Sequence, residues 1–193
     1  MYNSYRRYTY IAGDWEHDKD VVDKLYEWNS SSWNPITFND AHMITQARDE
    51  SLNCSIKASL LKRLQQSKKF ILIVGAQTKK LTAGGCQLCR SYNSYTQSCA
   101  RGYSCDYRSY IKYECDKAIE MGLKILVIYN SSQIDKSLCP DAVKEYYNAT
   151  HIPFFSYQQP FHFGSYSGLS AFGSLGTKMK KYNQQEIAMF LLN

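Results

Sequence analysis

Two short stretches of the sequence are continuously apolar, and they limit the folds open to this chain more than any other feature. They are Phe70-Ile71-Leu72-Ile73-Val74 and Ile125-Leu126-Val127-Ile128. Runs of this length without polar alternation are typical of central strands in a parallel sheet that is covered on both faces. We therefore expect an α/β protein.

Helical patterns alternate with apolar runs along the whole chain. The apolar runs are residues 8–12, 35–38, 70–74, 125–129 and 152–155, and the helical patterns are residues 18–28, 53–66, 110–121, 141–148 and 184–192. This alternation predicts a doubly wound parallel sheet of five strands, with the flavodoxin-like order 2-1-3-4-5. The length of 193 residues fits a single domain over 1–193. Residues 156–193 are expected to form an irregular C-terminal extension with a closing helix.

The helical pattern at residues 110–121 carries an acidic side chain within its apolar face. At about 100° per residue, Glu114 shares one face of the helix with apolar neighbours on both sides. These neighbours are Tyr110, Ile111, Cys115, Ala118 and Ile119. A carboxylate in such a stripe must have its pKa raised, bind a hydrogen-bond donor, or face a cleft. Glu114 is therefore the first candidate for a functional residue.

Small and polar residues follow three of the predicted strands. They are Gly13, Asp14 and Trp15 after the first strand, Asn39 and Asp40 after the second, and Gly75, Gln77 and Thr78 after the third. Each is also an ordinary turn or helix-capping residue. In a parallel sheet, however, ligands bind beyond the carboxyl ends of the strands, near the point where the strand order reverses. We therefore predict a polar pocket at this edge, close to Glu114.

A cysteine-rich insertion, residues 79–109, separates the third strand from the Glu114 helix. A structureless loop of this length is uncommon in a compact domain unless it is functional or is held by its own cross-link, such as a metal site. It contains Cys86-Gln87-Leu88-Cys89, then Cys99 and Cys105. Four cysteines are the composition of a structural zinc site, and zinc orders segments too small to bury a core. Because five residues separate Cys99 from Cys105, four reduced thiols or a redox-sensitive pair remain alternatives.

The charge and the N-terminal sequence exclude several classes of protein. The net charge of +6 is mild, and the Lys and Arg residues are dispersed along the chain. This pattern indicates a solvated surface rather than a nucleic-acid groove. A mildly positive surface would nevertheless suit an anionic ligand such as a nucleotide. The first residues, 1–7, lack a signal-peptide core, and no apolar run approaches the length of a membrane span. We therefore expect a cytoplasmic protein with no membrane partner, whose seven cysteines are not in disulfides.

Three stretches of the sequence resemble a known family. They are residues 10–20, the Gly-x-x-Thr turn in Ile73-Val74-Gly75-Ala76-Gln77-Thr78, and the aromatic-x-x-x-Glu pattern in Tyr110-Ile111-Lys112-Tyr113-Glu114-Cys115. In this order they resemble the TIR-like family that includes the Thoeris antiphage TIR proteins. The resemblance covers roughly residues 8–130 and is interrupted by the insertion. Tyr110 stands where the family usually has tryptophan, which keeps an aromatic wall of a different size.

The resemblance implies an enzyme that consumes NAD. Glu114 matches the glutamate that catalytic TIR domains use, and the strand-end residues and Tyr110 would then contact the substrate. Breaking the nicotinamide N-glycosidic bond passes through an oxocarbenium-like centre, which a carboxylate that holds the ribose hydroxyls can stabilise. The product would be ADP-ribose, a cyclic isomer or a conjugate. In Thoeris systems such products activate a separate effector protein, and TIR enzymes typically work as homo-oligomers.

Two other interpretations remain open from the residues alone. In the first, the chain is a TIR-like interaction or nucleotide-sensing module, and Glu114 is a structural acid satisfied by backbone amides or by Lys or Arg. In the second, it is a phospho-acceptor receiver domain with Asp14 after the first strand. The second is the weaker, because no aspartate follows Val74, where a receiver would carry its acceptor.

Overall fold

The structure is a computed structural model that describes residues 6–32, 36–43, 51–154 and 184–192. The strands are β1 (Tyr8–Ala12), β2 (Ser67–Val74), β3 (Tyr92–Asn93), β4 (Ser98–Cys99), β5 (Lys124–Tyr129) and β6 (Ala149–Pro153). The helices are α1 (Lys19–Ser30), α2 (Asn53–Gln65), α3 (Tyr110–Glu120), α4 (Asp141–Lys144) and α5 (residues 184–192). Within these ranges, no helix has the length and apolar character needed to cross a membrane.

The main sheet is parallel and has the order β1-β2-β5-β6. Alternate side chains of the strands point to opposite faces, as the two-residue period of a strand requires. On one face, Tyr10 and Phe70 pack with α2, α3 and α4, and on the other, Ile11 and Ile71 pack with α1 and α5. The prediction of an α/β sheet covered on both faces is confirmed, and the four strands follow the predicted relative order.

The prediction of a second strand at residues 35–38 is wrong. Among the described residues, the main sheet has four strands and not five. Thr37 has a φ of 26°, which breaks the extended backbone. The amide of Phe38 donates to Asn29 Oδ1 at 2.8 Å, so it is bonded to the end of α1 and not to β1. Only a parallel bridge between Thr9 and Asp40 remains, at the edge of β1 where the fifth strand was expected. Pro35 lies outside the described residues.

The helix that carries Glu114 has clear signals at both ends. The Oγ of Ser109 accepts a hydrogen bond from the amide of Lys112 at 3.3 Å, which caps the first turn. The helix ends before Gly122, whose φ of 64° favours glycine. The predicted helix at 110–121 is thus confirmed, and the side chain of Glu114 faces the sheet.

The insertion leaves and re-enters the domain at one point. The amide of Tyr110 donates to the carbonyl of Ala83 at 2.8 Å, so residues 84–109 form a closed excursion. Inside it, β3 and β4 pair as a small antiparallel hairpin. Lys57 of α2 is buried, and its Nζ donates to the carbonyls of Asp106 and Arg108 at 3.0 and 2.7 Å. These bonds hold the end of the insertion against the core.

The C-terminal part of the chain is described only in part. The closing helix is confirmed at residues 184–192, where Ile187 is fully buried on the α1 face. The predicted last strand begins and ends earlier than expected, at Ala149 and Pro153. Phe155 and the predicted irregular extension at 156–182 lie outside the described residues.

Candidate functional site

Glu114 lies in the interior of the domain, against the first strand. Glu114 is 7% exposed, and the hydroxyl of Tyr10, on β1, donates a hydrogen bond to its Oε1. Burial raises the pKa of Glu114 to about 7, against the opposing effects of the Tyr10 hydrogen bond and the positive charge of Arg63. The pKa of Tyr10 is raised by burial and by Glu114, so its hydroxyl stays protonated and remains the donor. Two of the three expected outcomes, a raised pKa and a bound donor, therefore occur together.

A row of aromatic rings connects the partner of Glu114 to the surface. Tyr10 stacks on Phe70 in the core with 5.7 Å between ring centroids, and it lies 5.3 Å from the ring of His42. His42 in turn meets Trp15 edge-on at 5.1 Å, and Trp15 is 43% exposed. The row places the predicted residue Trp15 on the same side of the sheet as Glu114. Tyr10 and His42 are not among the site residues predicted from the sequence, although Tyr10 is the central residue of β1.

The orientation of His42 is fixed by Asp40, another predicted site residue. The Nδ1 of His42 lies 2.9 Å from Asp40 Oδ1, and the Tyr26 hydroxyl donates to the other oxygen of the same carboxylate. Burial would by itself raise the pKa of Asp40, but the hydrogen bonds from His42 and Tyr26 outweigh it and lower the pKa. Asp40 is therefore ionised at neutral pH. Its neighbour Asn39 contributes a backbone carbonyl that accepts from Thr9 at 2.8 Å.

The other strand-end residues lie on the opposite, α1 side of the sheet edge. Gly13 approaches Ile73 so closely that a Cβ would lie 3.1 Å from the Ile73 Cβ. At Gly75, a Cβ would lie 2.0 Å from Asp18 Oδ1, so only glycine fits beside this carboxylate. Asn130 donates to the same oxygen at 3.0 Å. Asp18 is 3% exposed and its Oδ2 has no partner, which makes it a buried acid that the sequence analysis missed.

Asp14 and Thr78 bond within their own loops. The carboxylate of Asp14 accepts from the amide of Glu16 at 3.1 Å and lies 2.7 Å from the Nδ1 of His17. The hydrogen bonds to Asp14 raise the pKa of His17. The Oγ1 of Thr78 accepts from the amide of Gly75 at 2.8 Å, and Gln77 is exposed in the same turn. These contacts match the ordinary turn roles that the residue types allow.

Tyr110 lies one turn before Glu114 but faces the insertion and α2. Its hydroxyl donates to Asn53 Oδ1 at 3.1 Å, and Gly84 packs under its ring. The structure therefore divides the predicted site. Glu114, Trp15 and Asp40 lie around the aromatic row, Gly13 and Gly75 lie beyond the sheet on the α1 side, and Tyr110 contacts the insertion.

A groove of about 810 Å³ lies on the side of α3 that faces α4 and the insertion. Its lining does not include Glu114, but it includes Ile111 and Cys115 of the same helix. Its charges pair with one another. Lys79 binds Asp141 at 2.8 Å, and other walls carry Arg108 bound to Asp106 and Asp116 at 2.7 and 2.9 Å. The positive and negative charges that line the groove thus largely cancel one another.

The predicted zinc ligands do not all lie at one place. Cys86, Cys89 and Cys99 line a small cavity, whereas Cys105 is absent from its lining. Burial raises the pKa of Cys86, and the neighbouring Cys105 raises it further. All seven cysteines are free. Over residues 6–32, 36–43, 51–154 and 184–192, no three His, Cys, Asp or Glu side chains converge, as they stand, on a geometry that could hold a metal ion.

The structure is a doubly wound α/β domain that carries a buried glutamate on α3. Residues 2–83 match the family model described as the Thoeris protein ThsB, TIR-like domain. Over this stretch the chain is similar to the TIR-like domain of the Thoeris family. The match ends within the first residues of the insertion and before α3, so it includes Tyr10 and His42 but not Glu114. No curated protein matches the chain.

Proposed function

We propose that the chain is an NAD-consuming enzyme of bacterial antiphage defence, with Glu114 as its catalytic carboxylate. The observation that carries the proposal is the state of this side chain. It is almost completely buried, and its pKa is raised to about 7. A structural acid satisfied by amides or by a close ion pair has its pKa lowered. A raised pKa in the interior, beside a row of aromatic rings that reaches the surface, is typical of a functional group.

The chemistry that fits Glu114 is cleavage of the bond between nicotinamide N1 and ribose C1′. The bonding electrons leave with nicotinamide, which departs as a neutral molecule, and the ribosyl carbon develops positive charge. An ionised Glu114 stabilises that charge and holds the ribose hydroxyls, while the Tyr10 hydroxyl fixes the carboxylate. An oxygen or nitrogen nucleophile then bonds to C1′ and loses any proton it releases to solvent. Water yields ADP-ribose, and a nitrogen or hydroxyl of the same nucleotide yields a cyclic product.

The aromatic row supplies the surface on which the substrate would stack. Trp15 and His42 are at its exposed end, and Asp40 holds the ring of His42 in place. Aromatic faces bind planar bases with little loss of side-chain freedom. We therefore assign Trp15, His42 and Asp40 to binding rather than to chemistry. A cyclic ADP-ribose isomer would act as a signal on a separate effector, and assembly of several copies would complete the pocket.

A non-catalytic role is the second candidate, and one observation favours it. Glu114 is enclosed and already bonded to Tyr10, so in this conformation a substrate does not reach it freely. In that case the domain would bind a nucleotide or a partner without turning it over. The two candidates differ in a single measurable outcome, the release of nicotinamide.

The test incubates the purified protein with NAD, alone and in lysate from phage-infected cells, and measures nicotinamide and the ribosyl product by mass spectrometry. We compare the wild-type chain with Glu114→Gln, and with Glu120→Gln as a matched control. Glu120 is on the same helix, but its side chain is 55% exposed and pairs with Lys117. We expect turnover by the wild type and the control and none by Glu114→Gln. No turnover under either condition, or full turnover by Glu114→Gln, would overturn the proposal.

A further inference from the structure

Two cysteines lie close together at the base of the insertion, where the chain leaves the domain and returns to it. Cys86 comes just after the exit at Ala83, and Cys105 comes shortly before the return at Tyr110. Because the amide of Tyr110 donates to the carbonyl of Ala83 at 2.8 Å, the two ends of the insertion run side by side. Residues 87–104, which include the hairpin of β3 and β4, separate the two cysteines in the sequence.

Two hydrogen bonds limit the distance between these cysteines. The amide of Cys86 donates to the carbonyl of Asp106 at 3.0 Å, and the amide of Asp106 donates to the Sγ of Cys86 at 3.1 Å. Peptide geometry places the amide nitrogen of Asp106 about 2.4 Å from the Cα of Cys105. The Sγ of Cys86 therefore lies within about 5.5 Å of that Cα. In a disulfide, each sulfur lies about 3 to 4.5 Å from the Cα of its partner, so a small local adjustment allows a bond.

The two thiols differ in their access to solvent. Cys105 is half-buried and lines the groove of about 810 Å³ beside α3. Cys86 is 8% exposed and lines the small cavity on the inner side of the insertion. A dissolved oxidant therefore meets Cys105 first, while Cys86 is sheltered. An accessible thiol next to a second thiol that can react with its oxidised form is the usual arrangement of a redox-sensitive pair.

The groups around Cys86 suit its reaction as a nucleophile. Burial is the largest influence on the pKa of Cys86 and raises it, and the neighbouring Cys105 raises it further. The amide of Asp106 and the positive charge of Lys57 act in the opposite direction. Lys57 is itself held in place, because its Nζ donates to the carbonyls of Asp106 and Arg108 at 3.0 and 2.7 Å. A donor and a positive charge are thus already present where negative charge would develop on the sulfur of Cys86.

We propose that Cys86 and Cys105 are a peroxide-sensitive pair that closes into a disulfide and locks the base of the insertion. Hydrogen peroxide transfers one oxygen to the thiol of Cys105, which gives a sulfenic acid and one water molecule. The sulfur of Cys86 then bonds to the sulfur of Cys105, and the sulfenic hydroxyl leaves with the proton of Cys86 as a second water. The two thiols are oxidised and the peroxide is reduced. Because Cys105 and Asp106 line the groove, the bond ties one wall of the groove to the start of the insertion.

The test maps disulfides by mass spectrometry and does not depend on any enzymatic activity. The full chain is reduced, freed of reductant and exposed to hydrogen peroxide, and its remaining thiols are blocked before digestion with trypsin. Tryptic peptide 81–90 carries Cys86, and peptide 102–108 carries Cys105. We expect oxidation to join these two peptides and dithiothreitol to separate them again.

The rate of thiol loss gives a second readout. Cys115 and Cys139 are fully buried and serve as internal references. We expect Cys105 to lose its free thiol at least about tenfold faster than either of them, since oxidation depends on access to the sulfur. Equal rates would contradict the role of Cys105 as the thiol that meets the oxidant.

Three variants assign the bond to its two sulfurs. Peptide 81–90 also contains Cys89, which belongs to the same turn as Cys86 and whose amide donates to the Cys86 carbonyl at 2.9 Å. Cys89→Ser is therefore the matched control and should keep the cross-link, whereas Cys86→Ser and Cys105→Ser should lose it. If Cys86→Ser fails to fold, fragmentation of the joined wild-type peptides identifies the linked cysteine.

Several results would show that the pair does not exist. One is the absence of a link between the two peptides at every peroxide concentration. Another is a disulfide within peptide 81–90 in place of the link, or a link that persists in Cys86→Ser and disappears in Cys89→Ser. A bond between Cys105 residues of two chains, seen as a dimer on a non-reducing gel, would also refute the proposal.

Discussion

The raised pKa of Glu114 predicts that removing its charge makes the protein more stable at high pH. Below about pH 4.5, the ordinary pKa of the group, the carboxyl is protonated in both the folded and the unfolded chain. Above about 7, its pKa in the folded chain, it is ionised in both states and the folded chain carries the full desolvation penalty. Stability is therefore lost as the pH rises through this window, in which the folded chain holds a proton that the unfolded chain has released.

The size of the effect follows from the two pKa values. A rise from 4.5 to about 7 corresponds to about 3 kcal/mol of unfolding free energy at high pH. Glu114→Gln abolishes this penalty, since its amide stays neutral at every pH and its oxygen still accepts from Tyr10. We therefore expect the free energy of unfolding of Glu114→Gln, relative to wild type, to increase by about 2 to 3 kcal/mol between pH 5 and pH 8.

The assay is urea unfolding of wild type, Glu114→Gln and Glu120→Gln at pH 5 and pH 8. All other titrating groups are common to the three chains, so their contributions cancel in the differences. Glu120→Gln is the matched control, because it removes an exposed carboxylate from the same helix. If the Glu114→Gln difference were the same at pH 5 and pH 8, the ionised carboxylate would not be desolvated in the folded chain. Burial would then not raise the pKa of Glu114, and its assignment as a functional group would be wrong.

Three further substitutions test other parts of the structure. Tyr10→Phe removes the hydrogen bond that lowers the pKa of Glu114, so the pH profile of nicotinamide release should shift to higher pH, and an unshifted profile would contradict this pairing. Gly75→Ala places a Cβ about 2.0 Å from Asp18 Oδ1 and should reduce the unfolding free energy, measured in urea, by about 1 to 3 kcal/mol; an unchanged midpoint would show that the carboxylate moves without penalty. Ser109→Ala removes the cap of α3 and should reduce the same quantity by about 1 kcal/mol, whereas Ser109→Asp should keep it.

The sheet could be predicted because its signal is local in the sequence. Continuous apolar runs such as 70–74 and 125–128 fit only strands covered on both faces, and their alternation with helical patterns gives the strand order. The loss of the predicted second strand could not be foreseen, because Ile36 to Phe38 are as apolar as a strand requires. What removes it is a positive φ at Thr37 and a bond between Phe38 and Asn29, and both depend on how the chain leaves α1.

Only the position of Glu114 in the candidate site follows from the geometry of a helix. The 3.6-residue period places Glu114 on the inner face of α3, and the structure agrees. Its partner Tyr10 lies on another element, far away in the sequence, so no spacing rule links the two. The same limit applies to Cys54, which the sequence separates from the insertion but the fold places beside Cys86 and Cys89.

The hydrogen bond between Ala83 and Tyr110 makes the insertion a removable module. The chain that leaves at residue 83 returns at residue 110 within one hydrogen bond of its exit, so a short turn can join these two positions without moving β2 or α3. We therefore expect a chain shortened at this junction to keep the sheet and the Glu114 helix. The cost of closing such a loop depends only weakly on its length. We expect the same junction to accept a foreign segment, such as a tag or a reporter domain.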